Sequence, residues 1–116
     1  MSIERLHVGP RMSLVSIANG TVYTAGIVAD NRAGTSVAEQ TAEILAKIDS
    51  YLAEAGTDKS KVFMATVWLR DIADFDELNS VWDKWVVAGH TPVRACVEAR
   101  MAFPDILVEI QVTATR

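Results

Sequence analysis

The chain has one cysteine, Cys96, and two histidines, His7 and His90, in 116 residues. A lone thiol can neither close a disulfide within the chain nor build a thiolate zinc site, so hydrophobic packing has to hold the fold. The histidines are far apart and neither has a second ligand at helical spacing, which leaves a metal site without support. Long apolar runs are missing as well. No stretch nears the roughly 20 residues a membrane span needs, and none follows Met1-Ser2-Ile3-Glu4-Arg5 as a secretion signal would. The expectation is a soluble, cytoplasmic protein. Basic residues number 11 against 15 acidic ones, for a net charge of −4 and a pI near 5.0. That is the wrong sign for counterion-release binding to nucleic acid. The sequence also lacks a glycine-rich phosphate loop and a nucleophile elbow.

What is present is apolar. Half the residues are hydrophobic and mean hydropathy is +0.18, a surplus that one domain of 12.7 kDa, residues 1–116, hides with difficulty. An oligomer is the expected remedy. Residues 14–18 and 21–28 alternate around Asn19-Gly20, which predicts a hairpin closed by a type I′ turn. After a polar loop over 30–35, Ser36 and Glu39 form a capping box opening a helix. Its apolar stripe is Thr41, Ile44, Leu45, Ile48 and Leu52, and Gly56 ends it. Asp74 and Glu77 repeat the capping spacing before a second helix carrying Phe75, Leu78, Val81, Trp82 and Trp85, with Gly89 at its end.

Residues 62–69 read as a strand that is apolar on both faces, so Met64, Thr66 and Trp68 need a cover the two helices cannot supply. A second subunit is the economical source. Two strands follow, over 92–101 and 106–114. In the first, Val93, Ala95, Val97, Ala99 and Met101 are assigned to the helix side, leaving Arg94, Cys96, Glu98 and Arg100 on the other face. In the second, Ile106, Val108, Ile110, Val112 and Ala114 face the helices, with Leu107, Glu109, Gln111 and Thr113 opposite. The order ββ-α-β-α-ββ predicts an α+β domain, with two helices on one face of a mixed sheet.

Glu98 and Arg100 are read as meeting solvent. Arg94 and Glu109 would be partly desolvated at a subunit interface, where they either pair with each other or hold a ligand. An arginine fork suits a carboxylate, and a glutamate can act as base on water, although pattern alone ranks structural pairing ahead of catalysis. For Cys96, a small buried hydrophobe outranks a reactive thiol.

The run Pro92-Val93-Arg94-Ala95-Cys96-Val97-Glu98, followed by Val108-Glu109-Ile110, resembles the RidA/YjgF family, also labelled endoribonuclease L-PSP. So do Thr24-Ala25-Gly26, Ala55-Gly56, Thr66-Val67-Trp68-Leu69-Arg70-Asp71 and Asp74-Phe75. The stretch Trp82-Asp83-Lys84-Trp85-Val86-Val87-Ala88-Gly89-His90 is similar to the YoaB-like branch. The resemblance implies a chorismate-mutase-like fold assembled as a homotrimer with clefts between subunits. It also implies hydrolysis of enamines and imines, of the 2-iminobutanoate and 2-iminopropanoate type, to 2-keto acids and ammonia, with no metal or organic cofactor.

Carried onto this chain, Arg94 binds the substrate carboxylate, Glu109 positions or activates water, and Cys96, Ala25 and Gly26 line the cleft. The central strand would lie between the last two, putting Arg94 and Glu109 about 9.6 Å apart on one face. Where RidA has Gly-Pro-Tyr this chain has Gly9-Pro10-Arg11, and Ala25 replaces a serine. Arg11 is therefore a candidate specificity residue favouring a more acidic ligand. The alternatives are a non-catalytic small-carboxylate sensor using Arg94 alone and, against the net charge, an endoribonuclease.

Overall fold

Asn19 and Gly20 take φ values of 51° and 71°, the paired positive angles of a type I′ turn. They join β2 (Ser13–Ala18) to β3 (Thr21–Thr24) in the expected hairpin. In a computed structural model describing residues 2–116, the hairpin belongs to one sheet with β1 (Glu4–Val8), β4 (Val62–Leu69), β5 (Val93–Glu98) and β6 (Val108–Thr115). The strand order is β1-β2-β3-β6-β4-β5, and only β4 and β5 run parallel. As expected, the central β4 lies between the last two strands. β1 is an addition: all its residues but half-buried Leu6 are exposed, so it carries no core signal. The strand expected over 21–28 stops at Thr24 and resumes only as a bridge from Ile27 to Ile110.

The first helix, α1 (Val37–Glu54), has its capping box in place. The Glu39 N–H donates to Ser36 Oγ at 3.1 Å, and the Ser36 N–H donates to the Glu39 carboxylate at 3.3 Å. Thr41, Ile44, Leu45, Ile48 and Leu52 are all buried. The second, α2 (Phe75–Trp85), starts differently from expectation. A 3-10 turn over Ile72–Asp74, capped by Asp71, leads into it and holds Asp74 at φ −86° and ψ 9°. That is not the extended backbone a side-chain cap needs, and the Asp74 carboxylate caps nothing. Glu77 instead reaches across to α1, accepting the Ala38 N–H at 2.8 Å. The helix ends at Trp85, short of Gly89.

Both helices cover the face formed by Ala65, Val67 and Leu69 of β4 and Val108, Ile110, Val112 and Ala114 of β6, all buried. The molecule is thus the expected α+β arrangement of a mixed sheet with two helices. β5 overturns two expectations. It ends at Glu98, and its faces are inverted: Val93 and Val97 are exposed on the helix-free side, while half-buried Arg94 and Cys96 turn toward the helices. Alternation identifies which residues share a face, but not which face it is. The apolar set of β5 joins Met64 and Trp68 on a helix-free face that is itself apolar, and α2 supplies aromatic rings that tolerate the arginine.

Candidate functional site

Glu109 sits on β6 directly opposite Trp68 of β4, on the helix-free face at the C-terminal end of β4. Its carboxylate rests on the backbone of Gly26: a Cβ there would lie 2.0 Å from Glu109 Oε2. Only glycine permits that approach. The break in the strand after Thr24 leaves Gly26 free to lie under the carboxylate, and the hydrogen bonds between Ile27 and Ile110 fix the two segments in register. Burial pushes the Glu109 carboxyl above its ordinary value, and no side chain or backbone donor among the described residues bonds it. It lines a cavity of about 230 Å³ together with Trp68, Ala99, Arg100, Met101 and Ala102.

Arg94 is on the other side of the sheet. It pairs with Ala65, and Glu109 with Trp68, so the two are two strand spacings and three residues apart, about 14 Å, on opposite faces. The expected juxtaposition on one face does not occur within a chain. The Arg94 guanidinium lies 5.1 Å from the Trp82 ring centre and 5.6 Å from that of Phe75, and Nη1 donates to Asn79 Oδ1 at 2.9 Å. Two aromatic faces and one amide hold the fork, leaving its other nitrogens uncommitted among the described residues.

Cys96, two residues along the same face, packs against the core; burial pushes its thiol upward and nearby Arg94 only partly offsets this. At neutral pH it is a protonated, unreactive thiol. Ala25 also packs against the core, with its N–H donated to Leu14 O at 2.8 Å. Arg11 is exposed in the β1–β2 turn, at the same end of the sheet as Glu109. It lies more than two strand spacings away, about 10 Å at the least.

Several contributors escaped the sequence reading. Phe75 and Trp82 fit the apolar stripe of α2, and nothing distinguishes a ring that holds an arginine from one that fills a core. Asn79, four residues after Phe75 and three before Trp82, shares their side of the helix, but an amide there carries no signal of its own. Glu98 does not simply meet solvent, because its carboxylate accepts the Ile72 N–H at 3.1 Å. Arg100 lines the Glu109 cavity. His7 is on β1 and His90 just precedes β5, at opposite edges of the sheet, so a chain holds no acid/base histidine pair. Among the described residues no three His, Cys, Asp or Glu side chains converge as a metal site, and no helix is long and apolar enough to cross a membrane.

This combination of fold and residues has counterparts along the whole chain. Residues 4–116 match the endoribonuclease L-PSP family. A RutC family protein of Haemophilus ducreyi is 46% identical over 112 residues, covering 97% of this chain and 95% of that one. The RutC family protein YoaB of Escherichia coli is 43% identical over 114 residues, 98% of each. The crystal structure of a YjgF family member from Neisseria meningitidis is similar with a TM-score of 0.96 at 50% identity, over 100% of this chain and 96% of the other. With its fold and nearly its full length matched in this way, the chain belongs to the YjgF family, also described as endoribonuclease L-PSP, on the YoaB-like branch.

Proposed function

We propose that this protein hydrolyses reactive 2-imino acids to 2-keto acids and ammonia, at a site completed by two copies of the chain. The observation that carries the reading is the state of Glu109: a half-buried carboxylate with a raised pKa, no hydrogen-bond donor, and a cavity in front of it. Such a group suits proton transfer near neutral pH better than an exposed glutamate does. Its partner is Arg94 of a second copy, which offers the free edge of its fork to the substrate carboxylate. The exposed apolar side chains Met64, Val93 and Val97 on the helix-free face support burial against further copies, and a homotrimer is the assembly we infer.

In the reaction, Arg94 orients the imino acid through its carboxylate, and Glu109 takes a proton from water as the oxygen attacks the imine carbon. The protonated imine is already electrophilic, and its pair of C=N π electrons moves to nitrogen. Glu109 then returns the proton to that nitrogen. The C–N bond breaks, the hydroxyl proton passes to the departing ammonia, and keto acid and ammonium leave. The residues supply orientation and charge complementarity.

The test is release of ammonia and keto acid from imino acids generated in situ by an amino-acid oxidase. Wild type is expected to exceed the spontaneous rate, with Arg94→Ala and Glu109→Gln each losing that acceleration. Binding of a small carboxylate through Arg94 without any acceleration would replace the enzyme with a metabolite-binding module.

A further inference from the structure

The loop after β5 sets Arg100 on the wall of the cavity that Glu109 and Trp68 also line. We propose that Arg100 is a specificity-determining residue and that it selects 2-imino acids carrying a second carboxylate on the side chain. The proposal rests on the reading of Arg94 and Glu109 given above and names the substrate class for that site.

Three observations converge. Among the described residues, Arg100 has no carboxylate within 4.0 Å, so its guanidinium is not consumed by Glu109 across the cavity. Burial alone, with no cation contributing, accounts for the upward displacement of the Glu109 carboxyl, which agrees with that separation. Arg100 also lines an adjoining hollow of about 320 Å³ with Arg70 and Glu98. The Glu98 carboxylate there accepts the Ile72 N–H and makes no ion pair with Arg100.

The chemistry follows from these positions. If the α-carboxylate goes to Arg94 and the imine carbon faces Glu109, the substrate side chain runs along the cavity toward Arg100. A neutral side chain leaves that guanidinium without a partner. A terminal carboxylate two or three carbons away can engage the exposed guanidinium with two parallel N–H···O bonds, beside Trp68, Met101 and Ala102. Arg11 carries the same charge but does not line this cavity within the chain.

The test uses the keto-acid products as probes. Calorimetric affinities of 2-oxobutanoate and 2-oxoglutarate are compared for wild type, Arg100→Met, which keeps an unbranched apolar stem, and Arg94→Ala. Wild type is expected to favour 2-oxoglutarate by about tenfold. Arg100→Met should bring the ratio to about one, while Arg94→Ala weakens both acids. Thermal unfolding of each variant checks that the fold is intact. A wild-type ratio near one, or an unaltered ratio in Arg100→Met, overturns the role of Arg100 and leaves the site reading standing. Failure of wild type to bind either acid overturns both.

Discussion

Glu109 depends on what Gly26 lacks. Adding a methyl group there would place a carbon 2.0 Å from Oε2 and 3.0 Å from the carboxyl carbon, a clash with the far end of a side chain that can swing away. Gly26→Ala should therefore fold, with unchanged far-UV circular dichroism, while losing about 100-fold in imine hydrolysis because the base is misplaced. Retention of full activity would mean that Glu109 works from another position. Burial also gives Glu109 a signature in stability. A carboxyl whose folded pKa is raised contributes stability that is fully present below its unfolded value and lost as pH rises through the folded one. Glu109→Gln avoids that loss, so at pH 7 the variant should melt above wild type. The gap should close as pH falls below 4.5, the ordinary glutamate value. A wild type more stable than the variant at pH 7 would contradict a desolvated carboxylate.

Among the elements, the loop between β5 and β6 is fastened from beneath by α1. Gln40 is fully buried; its Nε2 donates to Thr35 Oγ1 at 3.1 Å and to Asp105 O at 2.9 Å, and its Oε1 accepts the Leu107 N–H at 3.0 Å. Gln40→Leu leaves the Leu107 N–H and the Asp105 carbonyl without that partner, at a cost of about 2–3 kcal/mol. Urea unfolding should show the loss, and hydrogen exchange at the Leu107 amide should quicken. Since Leu107 is two residues from Glu109, the same change loosens one wall of the cavity.

The elements also mark how far the sequence could be read. The capping box at Ser36, the Asn19-Gly20 turn and the alternation in β6 are local rules, and each holds in the structure. Arg94 failed because the facing of an edge strand is a tertiary choice. Its apolar neighbours fitted either side, and the decision came from rings and an amide on α2, the element before β5. Arg100 was missed for a related reason: past the end of β5, period-two reasoning no longer applies.

At the scale of the whole molecule, one chain separates the two groups that the proposed chemistry uses. Arg94 and Glu109 lie on opposite faces, so the site proposed above takes Arg94 from one copy and Glu109 from another. That arrangement makes a prediction no intrachain site shares. Arg94→Ala and Glu109→Gln are each expected to be inactive alone, yet mixing them under conditions that exchange subunits should restore activity. A functional cleft forms wherever a Glu109→Gln copy, with its intact arginine, meets an Arg94→Ala copy with its intact glutamate. In a closed ring assembled at random from equal amounts, that pairing occurs at about a quarter of the clefts, so about a quarter of wild-type activity should return. Mass measurement by light scattering would check that the ring holds three chains of 12.7 kDa. A mixture as inactive as its components, despite demonstrated subunit exchange, would show that the two residues never share a cleft. The activity of wild type would then have to arise within a single chain, where about 14 Å and a sheet stand between them.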